Sequence, residues 1–456
     1  MYYCLGTIYA EVAVLSDDSK KEGLFEKQLF YLRKCIDILE SNEFAELWQS
    51  PYVIGLGLRT YTNYANALNY MGRIIAAIEQ FKKALSIKPN FAMATGNLGI
   101  TYQQYGRLVP DSSHWEFIHQ CAFLLLSEAV GSDDPHAYEE AKNRFKNCID
   151  WYYPEYVEKI LTKTPKFPEY QYDDKDEYKY RDWALHNNLF LNPLNDLPYH
   201  EFCFAADVLL LPDMIAKIDA KPIYHGMFNQ LKQEYVFARY QYYCGLQKRE
   251  EPHFADKDTY LLNFGDYPQY SIRIEQIKCS FRVLYSVLDK VAYFVNSYFG
   301  LGIKERDVNY TSIWAAEKRG KNGYKYANVL NHNENRAISS LYWIYKDFHD
   351  SFCDSPNPHA KRISEIRQAF EHKYAKVCWG ELSSDLLGDE VDDLVLYVSE
   401  NELIDETLRL MKLIREVIIC LTLAVGVEEQ KRHDKSDDKA IMMPFVFMNY
   451  EDDWKV

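Results

Sequence analysis

The chain has 456 residues, 48% apolar and 26% charged, a composition ordinary for a soluble globular protein and long enough for two to three domains. Its net charge of −15 argues against sequence-blind coating of nucleic acid, though a local basic cleft remains compatible with it. The ten cysteines are scattered without a Cys-x-x-Cys pair, no apolar run is long enough to cross a bilayer, and Met1 to Gly6 lacks the basic stretch of a signal peptide, so the expectation is a cytoplasmic protein with no membrane partner.

The N-terminal third repeats itself. Tyr64-Ala65, Leu68 and Gly72 recur 34 residues later as Leu98-Gly99, Tyr102 and Gly106. Between them lie Ala77, Phe81, Ala84 and Pro89: two small residues that let antiparallel helices approach, a ring that fills the gap, and a breaker that stops the second helix. The segment resembles a tetratricopeptide repeat (TPR). Leu5-Gly6 and Tyr9, with a partner helix from Leu29 to Leu39, read as a degenerate copy; Trp115 to Val130 and Pro135 to Trp151 read as a further degenerate or capping pair. Stacked pairs of this kind form a curved solenoid over residues 1–153, whose inner face commonly holds a protein or signal partner. Asn63, Asn66 and Asn97 are candidates to line that face; solvated helix positions are an equal reading of each.

Residues 154–227 read as a linker and packing segment. Lys163 to Glu177 mixes prolines with charge, whereas Trp183 to Leu197 is rich in apolar residues and is expected to pack between two domains. Beyond it, the periodicity predicts helices over Phe228–Arg249, Gln269–Leu301, Asn335–Phe352, His359–Trp379 and Glu400–Val425, a helical bundle spanning residues 228–428. A polar insertion at 302–334 carries Lys318, Arg319, Lys321 and Lys325, candidates to guide RNA or simply a solvated loop. Asp385 to Asp393 is an acidic loop, and 429–456 is a charged tail. His349, Cys353 and His359 straddle a proline-rich turn and match no zinc spacing, so no metal or other cofactor is expected.

Arginine precedes histidine with four to six residues between them at three places, and context separates them. Arg107/His114 is split by Pro110, Arg181/His186 lies outside a convincing long helix, and Arg367/His372 falls on the late bundle helix. A histidine can move a proton on or off a ribose hydroxyl while an arginine stabilises charge on a phosphate. Five residues along a helix leave the two side chains roughly 140° apart, so a second copy across a dimer axis would help them converge.

A helical bundle with Arg367-Gln-Ala-Phe-Glu-His372 on a late helix, behind tetratricopeptide repeats and the segment at 189–197, resembles the HEPN superfamily of ribonucleases and RNA-binding domains. The resemblance implies an all-α fold, a TPR-like solenoid followed by a HEPN-like bundle. It implies a homodimer with Arg367 and His372 of both copies around one cleft, and metal-independent transesterification of RNA that leaves a 2′,3′-cyclic phosphate. It also implies a regulated effector of prokaryotic defence or stress, toxin-like in design. Gln368 stands where active members often carry Asn, Asp or His. Glu371 is placed to orient the guanidinium and Tyr374 to stack on RNA, with ordinary helix packing or solvation the alternative for both. The competing functional readings are a non-catalytic RNA-binding module and a pure partner-binding adaptor.

Overall fold

The computed structural model describes residues 1–163, 166–170, 172, 174–215, 221–248, 250–262, 268–314, 330, 334–348, 357–379, 394–435 and 450–455. The basic cluster Lys318, Arg319, Lys321 and Lys325, the acidic loop at 385–393, and His349 and Cys353 lie outside these residues.

The first seven helices are α1 (Tyr2–Val14), α2 (Asp18–Leu39), α3 (Pro51–Tyr70), α4 (Ile74–Ile87), α5 (Ala92–Leu108), α6 (Ser112–Val130) and α7 (Glu139–Ile149). The first six stack as antiparallel pairs. In the α3–α4 pair, Ala65, Ala77, Phe81 and Ala84 are fully buried, as the small–large pattern requires. The turn between them is a Schellman motif: Gly72 takes φ +86°, its N–H donates to the Asn69 carbonyl, and the Arg73 N–H donates to Leu68. The same glycine meets the bundle. A Cβ at position 72 would lie 2.2 Å from the Arg336 carbonyl oxygen.

A single turn, α8 (Pro154–Tyr156), and helix α9 (Lys175–His186), capped by Asp174, lead into residues 189–197. This segment has no regular structure beyond a single 3-10 turn at Pro193–Asp196, yet it is buried throughout. Its backbone oxygens therefore need partners from elsewhere. Arg415 Nε donates to the Phe190 carbonyl, Tyr235 and Arg239 donate to Leu189, and Tyr102 donates to Asp196. The Asp196 carboxylate takes Arg415 Nη1 at 2.7 Å and the Tyr105 hydroxyl at 3.1 Å. Tyr102 and Tyr105 come from the repeats, whereas Tyr235, Arg239 and Arg415 come from the bundle, so this stretch is the plug between them, as its apolar content predicted.

The C-terminal helices are α10 (Ile223–Leu246), α11 (Ile272–Tyr298), α12 (Arg336–Phe348), α13 (Pro358–His372) and α14 (Glu400–Lys435). The α11 stripe Ile274, Ile277, Phe281, Leu284, Leu288, Val291 and Val295 is buried as its three-and-four spacing requires, and so is Leu410, Ile414, Val417, Leu421 and Val425 on α14. One continuous apolar core runs from the repeats through the plug into the bundle.

Charged groups close the seam. Arg73, at the start of α4, donates to Asp347 at 2.6 Å and to Glu416 at 2.8 Å, and Arg33 of α2 reaches Asp347 at 2.7 Å. Lys412 pairs with Glu79, and Ser339 donates to the Met71 carbonyl.

The fourth bundle helix does not run to Trp379. It stops at His372, Lys373 turns extended, and β1 (Tyr374–Cys378) pairs in parallel with β2 (Val395–Ser399), Tyr374 opposite Val395. The strands bury Val377 and Val398 against the core and leave Tyr374 outside. Tyr374 is therefore a strand residue. Among the described residues the regular structure is helical apart from this two-stranded sheet.

Candidate active site

Helix α13 begins with Pro358 at its first position and an Asn357 cap whose side chain accepts from the His359 and Ala360 N–H groups. Ile363, Ile366 and Ala369 face the core, which turns Arg367 to the edge of that face and leaves Gln368, Glu371 and His372 exposed. His372 is the last helical residue. Its ring makes no hydrogen bond or ion pair with any described residue.

Arg367 is half-buried and held differently from expectation. Its guanidinium lies over the Tyr285 ring, 5.1 Å from the centroid. No ion pair joins it to Glu371, because the apolar face of α13 directs the arginine toward α11 while Glu371 points to solvent. Tyr285 is thus the positioning group that sequence reading missed; it sits on a different helix, and only its place on the long α11 could have drawn attention to it. Burial pushes the Tyr285 phenol above its usual pKa, opposed by a hydrogen bond with Ser364 and the charge of Arg367. The ring therefore stays neutral and presents its π face to the cation.

Two further cations flank the end of α13. Arg282 donates to the Phe370 carbonyl at 3.3 Å, and Lys278 Nζ stands 5.8 Å from the Phe370 ring. Tyr374, the first residue of β1, has Lys376 Nζ 5.5 Å from its ring. Along α13, Arg367 and His372 are separated by about 7.5 Å of rise and roughly 140° of rotation. One copy of the chain brings the two onto one helix end without converging them.

Residues 215–428 match the family described as LA2681-like HEPN, and residues 58–91 match a tetratricopeptide repeat. The chain carries a HEPN domain behind a tetratricopeptide repeat. Among curated proteins and among solved structures, nothing matches it. The matched HEPN region runs from just before α10 into α14 and contains the whole Arg367/His372 helix.

The other Arg/His pairs do structural work. Arg107 stacks on Trp151 at 4.1 Å, while His114 lies at the Asp111 cap of α6. Arg181 binds Glu177 and the Ala205 carbonyl, and His186 binds Asp182 on its own helix. His359 is taken by Glu406 at 2.7 Å. On the repeats, Asn63 is partly exposed and donates to the Tyr3 hydroxyl, Asn97 is only 8% exposed, and Asn66 is exposed. Among the described residues, no helix is long and apolar enough to cross a membrane.

Proposed function

We propose that the HEPN domain is a metal-independent endoribonuclease working as a homodimer, with residues 1–153 acting as the partner-sensing repeats and 228–428 as the cutting bundle. The observation that carries this reading is the end of α13: an exposed imidazole on the last turn, a guanidinium lying over a partly buried tyrosine, and both within the HEPN match. Across a two-fold axis, the His372 imidazole of one copy takes the proton from a ribose 2′-hydroxyl, and the freed oxygen attacks the adjacent phosphorus. The 5′-oxygen leaves with a proton from the other imidazole. The products are a 2′,3′-cyclic phosphate and a 5′-hydroxyl, and Arg367 offsets the charge that builds on the phosphate. A cell would need such an activity held silent until a signal arrives, which fits a defence or stress effector.

The test is cleavage of a labelled RNA by the full chain, with analysis of the new ends. His372→Ala and Arg367→Ala each abolish cutting while leaving circular dichroism unchanged, and EDTA has no effect on the parent. Cutting that persists in both variants ends this reading. Gln368, in the position where active members often carry Asn, Asp or His, favours a second one, a module that holds RNA without cutting it; retained RNA with intact ends under every condition would identify it.

A further inference from the structure

A cleft of about 460 Å³ opens between α4 of the repeats and helices α13 and α14 of the bundle. That is within the range of small-molecule sites. Most of the charge lining it is neutralised in place by the ion pairs of the seam, Arg73 with Asp347 and Glu416 foremost. Besides the exposed Asp405, two groups are left over. The Lys82 ammonium donates to the Leu197 carbonyl at 2.9 Å and reaches no carboxylate of the described residues at ion-pair distance. Gln80 Oε1 is buried and has no hydrogen-bond partner. A partly buried cation facing a carbonyl and a buried acceptor without a partner are both costly, and a ligand that reaches both would relieve them together.

We propose that this cleft binds a small phosphate- or carboxylate-bearing molecule whose anionic group pairs with Lys82 and whose hydrogen-bond donor meets Gln80. Burial lowers the Lys82 pKa to about 8 against the opposing pull of the Asp196 charge. The opposite wall includes His359 and Ile363 on the first turns of α13. The ligand therefore touches at once the repeats and the helix that ends in Arg367 and His372, and binding is linked to the position of that helix.

Isothermal titration of the full chain with inorganic phosphate, adenosine 5′-monophosphate and citrate tests this without reference to RNA cutting. At least one probe should give saturable heat at one site per chain, with affinity at least tenfold weaker in Lys82→Met and weakened again in Gln80→Leu. Should Lys82→Met fail to fold, Gln80→Leu and Arg409→Ser at the exposed rim carry the comparison. Hydrogen exchange at residues 358–363 slows when the probe is bound. No saturable heat from any probe up to about 10 mM, a range that detects even millimolar dissociation constants, overturns the proposal. So does affinity unchanged by these substitutions, and unaltered exchange in α13 removes the link to the motif helix.

Discussion

Replacing Arg73 with methionine tests whether the repeats and the bundle form one packed unit. The guanidinium is 7% exposed and serves two carboxylates, but they do not depend on it equally. Asp347 keeps Arg33 at 2.7 Å, whereas Glu416, whose side chain is 4% exposed, has no other cation at ion-pair distance among the described residues. The cost therefore falls on Glu416, a buried carboxylate stripped of its partner, and such losses run to about 3–5 kcal/mol. The prediction has a second arm. In Arg73→Met/Glu416→Leu the stranded charge is gone, and replacing both members of a buried pair by apolar groups is often close to neutral. The double variant should thus be at least about 2 kcal/mol more stable than the single one, even though it carries more changes. Urea unfolding followed by far-ultraviolet circular dichroism and by tryptophan fluorescence measures both. A cost below about 1 kcal/mol for Arg73→Met, the range of an exposed pair, would refute the buried seam. A double variant less stable than the single would refute the assignment of the cost to Glu416.

Gly72→Ala should lower the urea midpoint by the equivalent of about 1–2 kcal/mol for its left-handed backbone alone, and by more because its Cβ meets the Arg336 carbonyl. Gly72→Asn, which tolerates that backbone, should do no better, since the obstacle is a main-chain oxygen; full rescue by asparagine would place the cost in the turn only. His119 is fully buried, with Nδ1 at 2.8 Å from the Tyr152 hydroxyl and Nε2 without a partner, and burial, assisted by the nearby charge of Arg107, holds its pKa down at about 4. Because the folded pKa lies below the unfolded one, the unfolded chain binds the proton more tightly. The stabilisation is present above pH 6.5 and is lost as pH falls toward 4, reaching about 3 kcal/mol. His119→Phe should remove that part of the difference in unfolding free energy between pH 7 and pH 4.5, and an unchanged difference would show that other groups set it. Tyr285→Leu removes the ring beneath Arg367, worth about 1–2 kcal/mol when partly desolvated. RNA cutting should fall roughly fivefold to thirtyfold, and a rate equal to the parent would deny Tyr285 its positioning role.

Much of this molecule is legible in one dimension. The 34-residue period marks the repeat because Ala65, Ala77 and Ala84 have to be small wherever two helices cross closely. The stripes on α11 and α14 declare their buried faces because helix geometry repeats at 3.6 residues whatever the neighbours. The apolar character of Trp183 to Leu197 betrays a buried connection. The end of α13 is different. Tyr-Ala-Lys-Val-Cys is too short for its alternation to outweigh a preceding helix, and it becomes a strand because Val395 to Ser399 lies alongside it.

The sequence alone, then, determined the repeat and the buried stripes of the long helices, and it singled out Arg367 and His372 as candidates, since each depends on residues near one another along the chain. Only the tertiary structure decided that Tyr285 rather than Glu371 holds the guanidinium, that Asn63 meets the Tyr3 hydroxyl, and that Lys82 and Gln80 face a cleft with α13. Those outcomes depend on which side chains distant helices bring to one another, and burial then fixes which charges are matched and which are left without a partner.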